Sequence, residues 1–259
     1  ELCLTGYTCS DLFWQERMLD AAKEGLRKII KTSLTLDGLF FVGLPWEVNQ
    51  KLYNVAAAVS NGELLGLVPK KYLPNYAEFY EARHFTPGKE DVEWVTFDGQ
   101  EVPFGMHQQF HCAEVPGLIV AAEICEDLWV PNPPSVQHAY HGANLIVNLS
   151  ASDEVVGKDA YRRSLVSAQS ARLLCGYIYA TAGEGESTQD VVYGGQNLIA
   201  ENGTILAESR RFVNGVIYAD IDIHRLNNER RRMTTCQFAP DLAPEGLDIS
   251  YNEEPFSLE

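Results

Sequence analysis

No stretch of this chain is apolar for long enough to cross a bilayer, which takes about 20 residues in a helix. No leader of basic, apolar and then small residues opens it. The six cysteines, Cys3, Cys9, Cys112, Cys125, Cys175 and Cys236, contain no Cys-x-x-Cys pair, and no histidine stands at finger spacing, so no structural metal is expected. Basic charge is scarce: 20 Lys and Arg face 36 Asp and Glu, a net charge of −16 at pH 7. Such a surface repels phosphate backbones and anionic lipid, which argues against nucleic acid and membrane partners. Neither a Walker sequence nor a Gly-x-Gly-x-x-Gly fingerprint occurs, and the acids of Gly183-Glu184-Gly185 would repel a phosphate. With 259 residues, 46% of them hydrophobic, the chain has core enough to fold without disulfides, which points to a reducing, cytoplasmic setting. The first residue is Glu1 rather than Met, so a processed or lost start is expected.

What is present alternates between two periodicities. Residues 11–32 carry Leu12, Phe13, Met18, Leu19, Ala22, Leu26, Ile29 and Ile30 at helical spacing, with Ser10 as a candidate N-cap. Leu39 to Leu44, Leu118 to Ile124 and Leu145 to Leu149 are short apolar runs that predict buried strands. Tyr53 to Val59 and Glu63 to Val68 flank Asn61-Gly62, a hairpin signal, and Asn202-Gly203 repeats it between Asn197 to Ala200 and Thr204 to Glu208. Helical stretches are expected around Val136 to His141 and over 159–175, the latter stopped by Gly176. Tyr177 to Ala180 and Val216 to Ile221 read as further strands. Hairpins mixed with strand–helix alternation predict an α/β layered fold with mixed sheets. From Thr234 the pattern fades into an irregular tail with Pro240, Pro244, Glu253, Glu254 and Pro255.

One stretch carries unusual chemistry. In Ala121-Ala122-Glu123-Ile124-Cys125-Glu126-Asp127-Leu128-Trp129 a buried strand ends in a cysteine followed by two acids. The carboxyl end of a strand is where open α/β sheets place their sites. The plain alternative is a small core hydrophobe, the commoner fate of a cysteine. Nearby carboxylates alone would raise a thiol pKa, so a nucleophile here needs a cation and a base. Lys70, in Val68-Pro69-Lys70-Lys71-Tyr72-Leu73-Pro74-Asn75-Tyr76, can supply the cation, although two lysines beside a turn are more often simply solvated. Glu1, in Glu1-Leu2-Cys3-Leu4-Thr5-Gly6-Tyr7, can supply the base, although alone it would read as a frayed terminus.

Taken together, these three stretches resemble the nitrilase superfamily, and within it the amidase domain of glutamine-dependent NAD synthetases. Tyr76-Ala77-Glu78-Phe79-Tyr80-Glu81, Asn148-Leu149-Ser150-Ala151-Ser152 and Ala182-Gly183-Glu184-Gly185-Glu186-Ser187-Thr188 extend the resemblance, which runs to about Arg232. It implies a nitrilase-type α-β-β-α sandwich. It implies Cys125 as nucleophile on the side-chain amide of L-glutamine, Glu1 as general base, and Lys70 as stabiliser of the oxyanion. Tyr76, Ser152 and Lys158 fall where the family holds the α-amino and α-carboxylate groups, with Glu126 and Trp129 lining the pocket. Ordinary aromatic packing is the plain alternative for Tyr76 and Trp129.

Two departures accompany the resemblance. The family often has arginine where Lys158 stands, and lysine meets a carboxylate as a point charge rather than a fork. The family also carries a strand, a helix and a strand before its catalytic glutamate, so the chain reads as N-terminally truncated. An exposed apolar sheet edge or face is therefore expected beside Glu1, with Leu2 and Leu4 less buried than their character suggests. No Ser-Gly-Gly-x-Asp-Ser loop occurs either. The expected division is a glutaminase domain over 1–233 and a tail or linker over 234–259. That linker would lead to a C-terminal synthetase domain of the same polypeptide, which would use ATP and magnesium, with no cofactor in this chain. The resemblance also implies a homo-oligomer. Two other readings stay open: a stand-alone amidase or carbamoylase of the same fold, and a non-catalytic scaffold.

Overall fold

The computed structural model describes residues 1–239 and 249–258; Pro240 and Pro244 of the expected tail lie outside them. The predicted helix over 11–32 divides. A 3-10 turn, Ser10–Trp14, precedes α1, Glu16–Ser33. Ser10 caps nothing: its φ is 49°, and Gln15 in extended conformation separates the turn from the helix.

Three antiparallel strands follow: β1 (Phe40–Val48), β2 (Lys51–Ser60) and β3 (Glu63–Pro69). β1 continues through Pro45, which an outer strand tolerates because it has a side without ladder bonds. Asn61 and Gly62, at φ 44° and 79°, make the expected hairpin turn. β4 (Glu93–Phe97) and β5 (Gln100–Phe104), which the sequence pattern did not reveal, complete a sheet of order β1-β2-β3-β5-β4.

The second sheet contains β6 (Gln108–Cys112), β7 (Ile119–Ile124), β8 (Leu145–Ser150), β9 (Gly176–Thr181), β10 (Leu198–Glu201) and β11 (Thr204–Glu208). Helices α2 (Pro134–Tyr140) and α3 (Lys158–Leu173) connect β7 to β8 and β8 to β9, so those three strands run parallel. α3 is ended by Leu174 in the left-handed region, not by Gly176. Gly176 opens β9 instead, where a Cβ would lie 2.8 Å from Leu145 Cδ1. Residues 216–221, read as a strand, form none and lead into α4 (Ile223–Arg232). The expectation of an irregular tail is also corrected in part. Residues Asn252–Phe256 form β12, which pairs parallel with β6 at the end of the sheet order β11-β10-β9-β8-β7-β6-β12. Pro255 is accommodated there because β12 is an outer strand.

Alternation along β2 shows how the layers stack. Val55, Ala57 and Val59 join Ala22 and Leu26 of α1 in one core, while Ala56 and Ala58 point the other way, to Val120, Ala122 and Ile124 of β7. Two small side chains at that interface let the sheets come close. On the far side Ala121, Ile146, Tyr177 and Leu198 pack with Val166 and Leu173 of α3. The result is an α-β-β-α sandwich with two mixed sheets. Among the described residues no helix is long and apolar enough to cross a membrane.

At the start of the chain Leu2 departs from expectation, while β1 beside it is an outer strand of its sheet. Leu2 is fully buried with Phe13, Leu19, Leu52 and Phe85, and Leu4 is half-buried against the α1 core. The reason is local: Leu4 N–H donates to Gly43 O at 3.1 Å, which draws the segment under the 3-10 turn and α1.

Candidate active site

Cys125 stands at the carboxyl end of β7, beside the carboxyl ends of β8 and β9. It opens a 3-10 turn, Cys125–Leu128, with φ 45°. A left-handed backbone is costly for a residue with a Cβ, so the surroundings must hold it. Cys125 N–H donates to Asn148 Oδ1 at 3.1 Å. That same oxygen accepts from Ser150 Oγ at 2.7 Å, and Asn148 Nδ2 donates to the Tyr177 hydroxyl at 3.1 Å. Tyr177 donates in turn to Glu123, whose other oxygen accepts Ser135 N–H at 2.8 Å. A buried polar network therefore sits directly behind the cysteine turn.

The charged floor comes from the other sheet. Lys70 follows β3, its N–H bonded to Asn54 O at 2.8 Å. Its Nζ lies 2.7 Å from Glu1 Oε1 and 2.6 Å from Glu81 Oε1, all within the protein interior. Asn54 Nδ2 donates to the same Glu1 oxygen at 2.6 Å, and Tyr7 OH to the same Glu81 oxygen at 2.6 Å. The second oxygens, Glu1 Oε2 and Glu81 Oε2, have no hydrogen-bond partner among the described residues. Gly43 makes the approach of Glu1 feasible, since a Cβ there would lie 2.4 Å from Leu2 N. The loop after Glu1 is tied down by Glu186, which accepts the N–H groups of Tyr7 at 2.7 Å and Thr8 at 3.0 Å.

Electrostatics assigns the resting protons. Burial pushes the Glu1 carboxyl up, but the charge of Lys70 and the hydrogen bonds from Lys70 and Asn54 pull it down, and the group sits below its usual value. Glu81 is pushed up by burial and by the charge of Glu1, which together outweigh Lys70. Burial opposes the charge on Lys70, yet Glu1 and Glu81 raise its pKa well above the usual value, so it stays an ammonium. Burial and Glu1 push the Cys125 thiol up to about 12 against the pull of Lys70. Burial thus favours the neutral thiol at Cys125, and Lys70 favours the carboxylate at Glu1.

Above Cys125 opens a cavity of about 390 Å³ whose wall includes Tyr76, Glu126, Trp129, Ser152 and Lys158, together with Phe79 and Tyr161. Tyr76 OH donates to Glu126 Oε1 at 2.8 Å. Lys158 Nζ pairs with Asp153 and lies 5.3 Å from the Trp129 ring centre and 5.6 Å from that of Phe79. Ser152 Oγ accepts from the buried Arg162 at 3.2 Å, and Arg162 also meets Glu154 at 2.7 Å and Gln196 at 2.5 Å. Asn54, Glu81, Asp153 and Arg162 were not singled out from the sequence as site residues. Signals did exist: Asn54 interrupts an apolar strand, Glu81 closes the Tyr76–Glu81 run, and Arg162 lies one helical turn beyond Lys158.

On this α-β-β-α sandwich a buried cysteine ends a strand, and a lysine is held between two carboxylates; the fold and the family that matches it define a hydrolase of carbon-nitrogen bonds. The chain belongs to the carbon-nitrogen hydrolase family, whose model matches residues 1–231. It is 43% identical over 237 residues to the glutamine-dependent NAD(+) synthetase of Mycobacterium tuberculosis, covering 91% of this chain and 35% of that protein. Among solved structures it is similar to a glutamine-dependent NAD(+) synthetase from Cytophaga hutchinsonii, with TM-score 0.70 and 30% identity over 82% of this chain and 34% of that one. The carbon-nitrogen hydrolase of Helicobacter pylori shares the fold at TM-score 0.65 and 16% identity, covering 88% of this chain and 76% of that one. The chain thus spans about a third of the length of the curated NAD(+) synthetases it matches, 35% in the mycobacterial case.

Proposed function

We propose that this chain hydrolyses the side-chain amide of L-glutamine through a thioester on Cys125. The observation that carries the reading is the split character of Glu1. Lys70 and Asn54 hold Oε1, while Oε2 has no hydrogen-bond partner among the described residues and the charge of Glu1 acts on Cys125. A carboxylate so held is oriented and ionised, with one oxygen free to take a proton.

Cys125 Sγ bonds to the amide carbon as its proton passes to Glu1. The Lys70 ammonium offsets the negative charge that grows on the carbonyl oxygen. The tetrahedral intermediate collapses by breaking the C–N bond; the proton on Glu1 goes to the departing nitrogen, and ammonia leaves. Water then gives a proton to Glu1 and attacks the thioester, the C–S bond breaks as the proton on Glu1 passes to the departing sulfur, and glutamate leaves with Cys125 again a thiol and Glu1 again a carboxylate. Lys158 and Glu126 offer opposite charges at the cavity wall for the α-carboxylate and α-amino groups, with Tyr76, Trp129 and Ser152 completing the fit. The similarity to NAD(+) synthetases supports a further step. The ammonia serves ATP- and magnesium-dependent amidation of deaminated NAD to NAD in a synthetase domain of the same polypeptide, within a homo-oligomer.

Glutamate release from glutamine by the full polypeptide tests this. Cys125→Ala should lower turnover by about 10⁴-fold or more, while NAD synthesis from added ammonia continues. Hydrolysis of N-carbamoyl amino acids but not glutamine would replace the reading with that of a carbamoylase.

A further inference from the structure

We infer that Asp127 is a positioning residue, binding the lysine segment to the cysteine segment so that Cys125 faces Lys70 and Glu1. The inference rests on the amide-hydrolysis reading above. Lys70 and Cys125 come from different sheets, and nothing in the ladder of either sheet sets their separation. Asp127, buried two residues past the cysteine, reaches across that gap. Its Oδ1 accepts the N–H groups of Lys71 at 3.2 Å and Tyr72 at 2.8 Å, the two residues after Lys70. Its Oδ2 accepts the N–H of Ile124 at 3.0 Å, the residue before Cys125.

The residue type fits the task. Three backbone donors converge on the two oxygens, and a carboxylate offers only acceptors. Asparagine would keep the acceptor for Lys71 and Tyr72 but turn an NH₂ toward the Ile124 N–H, donor against donor. Burial pushes the Asp127 carboxyl up to about 7. No ion pair to Asp127 occurs among the described residues; backbone N–H groups hold it instead. Asn148 holds the N–H of Cys125 itself, so consecutive amides of the strained turn are fixed from two sides. Asp127 is the one of these two side chains that also grips the lysine segment.

The test is steady-state glutamine hydrolysis by the full polypeptide in Asp127→Asn and Asp127→Ala, with the active fraction counted by stoichiometric alkylation of Cys125. Displacing reacting groups by about 1 Å can cost about a hundredfold in rate. Asp127→Ala should therefore lose about a hundredfold in kcat per active site, with KM within about threefold, because the cavity wall is untouched. Asp127→Asn should fall between it and the wild type. A purely structural role would lower the active fraction and leave kcat per active site intact, and that result, or a loss confined to KM, overturns the inference. If the alanine variant does not fold, the near-isosteric asparagine variant decides by the same criterion. A wild-type protein that hydrolyses no glutamine removes the underlying reading and the inference with it.

Discussion

In the charged cluster that forms the floor of the site the Lys70 and Glu1 side chains have no exposed surface, whereas at the mouth of the cavity Tyr76 is 58% exposed. The two regions solve different problems. The floor places three ionisable groups out of water, where each charge is tolerable only because another offsets it. The mouth holds its polar groups where water can replace a lost partner, so each contact there contributes little alone. The comparison teaches that a defect in the floor affects folding and chemistry together, while one in the mouth affects only binding.

Lys70→Met tests the floor most severely. It strands Glu1 and Glu81 without their cation, which should cost about 3–5 kcal/mol in urea denaturation. It should also lower glutamine turnover by at least about a hundredfold through loss of the oxyanion partner. A Met variant as stable and active as the wild type would erase the distinction between floor and mouth.

The pH dependence of Cys125 sharpens it. A thiol pushed up to about 12 is protonated through the neutral range. Its thiolate fraction, and with it alkylation by iodoacetamide without substrate, should therefore rise about tenfold per pH unit, or about a hundredfold from pH 7 to 9. A plateau already reached below pH 8 would mean that Lys70 holds a preformed thiolate, and Glu1 would then have no proton to remove. The smallest effect belongs to the mouth. Tyr76→Phe loses one exposed hydrogen bond to Glu126, worth about 1 kcal/mol, so KM should rise by no more than about fivefold with kcat unchanged. A tenfold fall in kcat would show that the mouth is coupled to the floor.

Much of the central architecture was legible because it is written in local pattern. Asn61-Gly62 and Asn202-Gly203 mark their hairpins, and the apolar runs of β7 and β8 mark strands buried on both faces. β4, β5 and β12 were not legible: they are short, partly exposed and carry Glu93, Glu101 and Glu253, so their strand character comes from pairing. Leu174 shows the same limit, because its left-handed turn is imposed by the junction of α3 with β9 rather than by a glycine. In the site, Glu1, Lys70 and Cys125 were named from their flanking residues. Glu81 and Asn54 could be ranked beside them only once the fold had brought both to within hydrogen-bond reach of the same buried groups. Leu2 is buried because Phe13, Leu19, Leu52 and Phe85 close over it in space, a contact that no local sequence pattern announces.

The strand order has a consequence for the sequence in which the parts of the cysteine-bearing sheet are made. β6, beside the strand that ends at Cys125, is completed on its outer side by β12, whose residues leave the ribosome more than a hundred positions after the cysteine. The proposed base and cation arrive earlier, on a different layer. The sheet that carries Cys125 therefore gains its outer strand on that side from the last of the described strands to be synthesised.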